Sequence, residues 1–367
     1  VTKPRLLLVA RTRYALPLSP SLERKFAALR EHFDVRVLAT SANGRARDDG
    51  TFRLVGRLPF LDGPLFYLLL PLRVRRAVRE RRPVAVVTQS PYEAAFVSLA
   101  RTGVPVVVEL HGDWRTATRL YGSPYRRVLS PVADAAGTFG LRRAAAVRTI
   151  SAYTTGLVRE LGVEPAAEFP AFMDLEVFSE KPAVPLPPTP AALFVGVLEL
   201  YKNVDGLARA WRLAAPRLPG VQLRVVGRGS RVDVVRELVH DLPAQTTWTE
   251  RLTQAEVARA MDEATCLVLP SRSEGLGRVL VEAFLRERPA VAMRVGGIRD
   301  VVEDGVNGLL VSSDEELAEA LVRLLTDRQL AERLGAAARH SVERWLASPA
   351  DYAERMAELV RPYTDVR

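Results

Sequence analysis

Short, nearly continuous apolar runs recur along this chain with amphipathic stretches between them, and that rhythm limits the fold more than any other feature. The runs occupy residues 6–10, 35–40, 84–89, 104–110 and 146–151 in the first half. In the second half they occupy 192–197, 221–227, 265–270, 290–295 and 308–311. Each is mostly β-branched or leucine and lacks strict alternation, the pattern of a strand covered on both faces in a parallel sheet. Residues 22–31, 208–215 and 315–325 carry helical spacing instead. Repeated strand–helix alternation predicts a doubly wound α/β architecture. At 367 residues the chain is long enough for two such domains.

The segment SEKPAVPLPPTP, residues 179–190, separates the two series and holds five prolines in twelve positions. Such a stretch cannot continue a helix or an inner strand. The expected domains are therefore residues 1–183 and 184–347. Residues 348–367 form a last helix capped by Ser348 or Asp351, expected to return to the first domain. Two doubly wound domains set their strand carboxyl ends, where open α/β sheets bind ligands, on opposite walls of a cleft. Closure around two bound molecules would suit group transfer.

The formal net charge of +9 is unevenly divided. Residues 1–150 hold 26 Lys/Arg against 11 Asp/Glu, and the remainder 26 against 32. A basic first half suits an anionic partner: a phosphate-bearing acceptor, an anionic membrane face or nucleic acid. A solvated, arginine-rich surface is the plainer alternative, since only four of the 52 basic residues are lysines. Within this half, LFYLLLPLRVRRAVRERR joins an apolar run to six arginines between positions 73 and 82. It reads either as a peripheral membrane contact or as a buried element followed by a solvated face. No run approaches the ~20 apolar residues of a membrane span, and the first residues do not read as a signal peptide. The single cysteine, Cys266, lies in an apolar run and reads as a buried small hydrophobe. A cytoplasmic protein, peripheral at most to the membrane's inner face, is expected. No nucleic-acid recognition motif is present, so no nucleic-acid partner is expected.

The densest chemical signal is PSRSEGLGRVLVEAF, residues 270–284. A strand ends at Pro270, a polar loop with Gly275 and Gly277 follows, and a helix begins near Leu276. Glycines let backbone N–H groups approach a ligand, and a helix start favours phosphate. Glu274 and Glu282 offer acceptors for sugar and ribose hydroxyls, although spacing alone favours two surface charges.

This segment resembles the signature of retaining glycosyltransferase family 4, a GT-B family using nucleotide-sugar donors, in which two glutamates with seven residues between them flank a Gly-aromatic-Gly loop. The resemblance assigns donor-sugar hydroxyls to Glu274, the diphosphate and sugar to the backbone of Gly275, Leu276, Gly277, Arg278 and Val279, and the ribose to Glu282. FVGVLELYKNVDGLARAW, residues 194–211, resembles the family's basic diphosphate loop and brings Gly196, Val197 and Lys202 to the donor site. Val197 stands where the family carries an arginine, and Asn203 where glycine is usual. Arg228, Arg272 or Arg278 is then the candidate replacement for the missing charge. VVVELHGDW, residues 106–114, matches the block whose histidine, His111, contacts the transferred sugar. GGIRDVVEDGVNGLLV, residues 296–311, VRTISAYTTGLVRELGV, residues 147–163, and FPAFMDLEVF, residues 169–178, match further blocks. In the last, Ala171 and Phe172 replace the customary Asn-Gly. The loop RTRYALPLSPS, residues 11–21, lacks the family's paired glycines.

The resemblance implies a retaining transfer of a hexose from a UDP- or GDP-sugar to a hydroxyl acceptor, lipid-linked or part of a cell-envelope glycan. His111, Glu274 and Lys202 form the catalytic set. The leaving diphosphate would be stabilised by Lys202, helix-end N–H groups and an arginine. No metal or cofactor is expected, because no His/Cys/Asp cluster has ligand spacing. The competing reading is a catalytically silent GT-B-like protein that binds a sugar nucleotide.

Overall fold

The computed structural model describes residues 3–57, 62–120 and 128–364. These form two compact units: residues 3–115, 128–172 and 347–364 in one, and 116–120 with 173–346 in the other.

The first unit is built on an eight-stranded sheet. Its strands are β1 (Arg5–Tyr14), β2 (Asp34–Ser41), β3 (Arg47–Asp48), β4 (Phe52–Val55), β5 (Ala85–Thr88), β6 (Val106–Leu110), β7 (Ala146–Thr149) and β8 (Ala167–Glu168), ordered β3-β4-β2-β1-β5-β6-β7-β8. Every pairing is parallel except β3 with β4. The second unit has β9 (Ala191–Val195), β10 (Gln222–Val226), β11 (Thr246–Thr249), β12 (Cys266–Leu269), β13 (Ala290–Met293) and β14 (Gly308–Val311). Their order is β11-β10-β9-β12-β13-β14, all parallel. Each sheet therefore reverses its winding once, between β1 and β5 in the first and between β9 and β12 in the second.

Coverage on both faces explains the continuous apolar runs. Leu6 and Leu8 of β1 join a core with Phe26, Leu29, Met356 and Leu359, while Leu7 and Val9 join another with Phe66, Leu70, Val74 and Val97. Successive side chains of a strand point to opposite faces, so a doubly covered strand needs apolar residues at every position. In the second unit Phe194, Leu223, Val225 and Val268 pack against Trp211, Leu321 and Leu324. Cys266 is fully buried there, which pushes its thiol up to about 12.

All ten apolar runs coincide with strands. The four strands without such a run, β3, β4, β8 and β11, lie at or next to a sheet edge, where one-sided or minimal burial removes the signal. The C-terminal helix, Pro349–Val360, starts at Ser348 in a capping box with Asp351, so both candidate caps act together. It packs beside the helix Pro20–His32 of the first unit. Pro71 lies inside the helix Asp62–Arg81, which runs through the apolar-then-basic segment. Leu68 and Leu72, one turn apart, are 71% and 61% exposed there.

The two units change over at Phe172/Met173, ahead of the proline-rich segment. That segment is held on the second unit by arginines donating to its carbonyls. Arg286 reaches Lys181 O at 2.6 Å and Pro182 O at 3.1 Å, and Arg288 reaches Val184 O at 3.0 Å. Arg328 reaches Leu186 O and Pro187 O, both at 2.9 Å. Prolines offer no N–H, so their neighbourhood is fixed through acceptors, and guanidinium supplies several donors at once.

Candidate functional site

The loops following β9 and β12 meet at the point where the second sheet reverses its winding. After β9 the chain passes Gly196 and Val197 and makes a short 3₁₀ turn over Leu200–Lys202. It then enters the helix Val204–Ala214 through Asn203. Asn203 has φ 53° and ψ 42°, a left-handed conformation that glycine adopts freely and asparagine tolerates better than most residues. The departure from the family's glycine is thus conformationally matched. The Asn203 side chain is nearly buried, accepts from Arg272 Nε at 3.0 Å, and donates to Asp314 at 3.5 Å. A second tie joins the loops, because Arg272 N donates to Tyr201 O at 2.7 Å.

These ties place Lys202 beside Glu274. Lys202 Nζ donates to Glu274 Oε1 at 2.5 Å, with both side chains only 12% exposed, and Ser271 Oγ donates to the same oxygen at 2.7 Å. Gly297 N donates to Glu274 O at 3.0 Å, fixing the carboxylate's own backbone. A Cβ at position 297 would overlap the Gly275 carbonyl, so only glycine permits this approach. Gly277, at φ 87°, leads into the helix Arg278–Leu285, two residues later than the sequence suggests. First-turn amides such as those of Arg278 and Val279 have no partner within their own helix, so they are available to an anion. Leu276 and Val279 are buried beneath the loop.

The second glutamate is also paired. Arg278 Nε donates to Glu282 Oε1 at 2.6 Å, and its Nη2 donates to Asp174 O at 3.1 Å. Burial pushes the Glu282 carboxyl up, opposed by Arg278 and Lys202.

Three arginines were candidates for the charge missing at Val197, and their surroundings separate them. Arg278 is engaged with Glu282 and Asp174, and Arg272 with Asn203. Arg228 is exposed and, among the described residues, its guanidinium has no hydrogen bond or ion pair. Its backbone borders Val197: Leu198 N donates to Arg228 O at 2.9 Å, and Gly196 N to Val226 O at 3.0 Å. Cβ atoms at Gly227 and Gly229 would overlap the carbonyls of Gly196 and Leu198, so the two loops can lie together only because both positions are glycine. Val197 itself is 44% exposed.

In the first unit His111 follows β6 directly. The residue as a whole is exposed, yet loss of hydration among surrounding protein lowers the imidazole to about 4. Glu109 opposes that shift, while Arg148 and Lys25 reinforce it. Two residues back on the same strand, Glu109 is buried and forms an ion pair with the fully buried Arg148 at 3.2 Å. Tyr352 of the C-terminal helix donates to Glu109 Oε1 at 3.0 Å. Burial favours a neutral Glu109, but Arg148, His111 and Lys25 hold its carboxyl below the ordinary range. The Arg148 guanidinium stacks 4.2 Å from the Phe169 ring centroid and donates to Pro170 O at 2.6 Å. No local sequence pattern signals this network, since it joins β6, β7 and the last helix. Ser151, in the matched block after β7, is a buried N-cap in a capping box with Thr154.

Among the described residues no helix is long and apolar enough to span a membrane, and no group of His, Cys, Asp and Glu is arranged to hold a metal.

Two doubly wound parallel sheets, one carrying a glycine-lined loop with a paired lysine and glutamate at its reversal point, define a glycosyltransferase of the GT-B fold. Family models agree: a "Glycosyl transferase 4-like domain" matches residues 19–169, and "Glycosyl transferases group 1" matches residues 179–341. The chain belongs to glycosyltransferase family 4. It is 28% identical over 306 residues to alpha-D-kanosaminyltransferase of Streptomyces kanamyceticus, covering 78% of each chain. Several other curated glycosyltransferases match over less than half of their own length. Among solved structures, sucrose-phosphate synthase from Thermosynechococcus elongatus superposes with a TM-score of 0.78 at 17% identity, covering 98% of each chain. Anabaena Alr3699/HepE in complex with UDP superposes with a TM-score of 0.67 at 17% identity, covering 98% of this chain and 100% of that one.

Proposed function

We propose that this protein is a retaining hexosyltransferase taking a UDP- or GDP-sugar as donor and a hydroxyl group as acceptor. The observation carrying this reading is the Lys202–Glu274 pair at the winding reversal of the second sheet. A cation beside a hydroxyl-binding carboxylate is what a diphosphate linked to a sugar requires. In this reading Lys202, Arg228 and the first-turn amides of the helix Arg278–Leu285 stabilise the negative charge that grows on the leaving diphosphate. Glu274 accepts from donor-sugar hydroxyls, Glu282 from the ribose, and neutral His111 contacts the transferred sugar. The scheme needs neither metal nor organic cofactor. The UDP complex of Alr3699/HepE supports a uridine donor, and the kanosaminyltransferase relative supports transfer of a glycosyl group.

Incubation with UDP- and GDP-hexoses and a hydroxyl acceptor panel, with the product anomer read by NMR, tests the proposal. Product of inverted configuration would overturn retention. Nucleotide binding without product from any acceptor would favour a silent sugar-nucleotide-binding protein, the reading that Val197 in place of arginine supports. Leu68 and Leu72, exposed above the arginine run, support peripheral contact with an anionic membrane face. Flotation with anionic vesicles should fall several-fold in Leu68→Glu/Leu72→Glu, and unchanged flotation would end that part of the proposal.

A further inference from the structure

Each sheet offers one crevice where its winding reverses, and ligands of open α/β sheets bind at such crevices. In the second unit Lys202 and Glu274 occupy it. In the first unit the equivalent position, between the ends of β1 and β5, holds a cavity of about 350 Å³. Residues Arg11–Arg13 line it from β1, Gln89, Ser90 and Glu93 from the chain after β5, and Tyr67 from the helix Asp62–Arg81. No aliphatic side chain contributes to the lining, so it is unsuited to an alkyl chain.

The cavity is held in shape by its own polar groups. Glu93, 3% exposed, accepts from Arg11 N at 3.1 Å, Tyr67 Oη at 3.3 Å and Ser90 Oγ. Thr12 Oγ1 donates to Gln89 Oε1 at 2.9 Å. The Arg11 guanidinium lies 5.9 Å from the Tyr67 ring centroid, and Gly63 leaves it room: a Cβ there would come within 2.9 Å of Nη2. Arg11 and Arg13 thus line a cavity that holds one carboxyl, with Arg11 beside Tyr67 and Glu93, and that carboxyl is turned toward internal donors. Burial pushes Glu93 up to about 7, so its negative charge is incomplete at neutral pH. The local balance favours an anion, and the hydroxyl and amide groups of Thr12, Ser90 and Gln89 suit a ligand rich in hydroxyls.

We propose that this cavity is the acceptor subsite and selects a small polyhydroxylated acceptor bearing an anionic group, phosphate or carboxylate, read by Arg11 and Arg13. The word acceptor rests on the glycosyl-transfer reading, whereas the anion selectivity does not. The RTR sequence then accounts for the loss of the family's paired glycines: guanidinium side chains replace backbone close approach.

Calorimetric titration of the full chain without donor tests this, using glucose 6-phosphate, glucuronate and glucose as probes. At least one anionic sugar is expected to bind about tenfold or more tightly than glucose, as charge-assisted contacts predict. Arg13→Gln, at an exposed position, and Arg11→Gln should each reduce that preference, while Arg11→Lys retains part of it. The tighter probe identifies the anion as phosphate or carboxylate. Equal affinity for all three sugars, no binding by either anion, or full preference in both glutamine variants would overturn the proposal. UDP and GDP titrated into the same samples report separately on the second unit. Loss of nucleotide binding there would count against the transferase reading and leave the anion result to stand or fall alone.

Discussion

Moving one positive charge between two adjacent loops provides a direct test of how this chain handles a diphosphate. Val197 stands where the family has an arginine, and Arg228 is carried by the neighbouring loop, joined to it by hydrogen bonds on either side. Two unit charges 4 Å apart interact by about 1 kcal/mol in water and about 4 kcal/mol at an effective dielectric of 20. Arg228 is exposed, so the lower part of that range applies, about 1–2 kcal/mol. Arg228→Gln should therefore weaken UDP or GDP binding by roughly 5- to 30-fold at low salt, using ~1.4 kcal/mol per decade. Val197→Arg should strengthen binding by a similar factor, and the double variant should return to within about threefold of the parent. Calorimetric titration at two ionic strengths provides the readout, with the Arg228 effect shrinking as salt rises. Parental affinity in Arg228→Gln would refute the assignment of Arg228 as the replacement charge.

Three further outcomes follow from the geometry. Arg148→Met leaves Glu109 buried without its ion-pair partner and should cost about 3–5 kcal/mol by chemical denaturation, while Glu109→Gln/Arg148→Met should recover part of that loss; a single variant as stable as the parent would contradict the pairing. Glu93, raised by burial from 4.5 to about 7, holds its proton more tightly when folded than when unfolded. Stability should consequently be greatest below pH 4.5 for this group and decline as pH rises to 7, by up to ~3 kcal/mol, and Glu93→Gln should remove that slope from a pH series of denaturation curves. Gly297→Ala drives a methyl group into the Gly275 carbonyl, so the phosphate loop must shift and nucleotide affinity should fall at least about tenfold, with an intact circular-dichroism spectrum; undiminished affinity would show that the close approach is dispensable.

Much of this architecture was legible because doubly covered strands announce themselves. Residues 6–10 and 265–270 are apolar at nearly every position, and both β1 and β12 are buried on two faces. Strand β11, reading TTWT at a sheet edge, has no such constraint and gave no signal. The donor loop was legible by resemblance: PSRSEGLGRVLVEAF placed Glu274 and Glu282, and KNVDGLARAW placed Lys202. What the sequence did not contain was which charge meets which. Lys202 with Glu274, Arg278 with Glu282 and Arg272 with Asn203 are set by loop geometry across distant positions. That geometry is what leaves Arg228, of the three candidates, as the one whose guanidinium has no partner among the described residues. The cavity at Arg11 was hidden for a related reason, since Tyr67 and Glu93 converge on it only once β1 and β5 are neighbours.

The helix Pro349–Val360 has a consequence for the order in which the molecule is made. Its Tyr352 bonds Glu109, and its Met356 and Leu359 complete the core beneath β1 and β2. A ribosome releases residues 173–346 before that helix, so the second unit has all its sequence while the first still lacks one wall. Until the helix arrives, the Glu109–Arg148 pair and the apolar face beside it stay open to solvent. Such late, sequence-distant closure slows folding and prolongs exposure of sticky surface. A fragment ending near residue 172 is accordingly an unfinished domain, and expression of the first unit alone requires that the last helix be grafted back onto it.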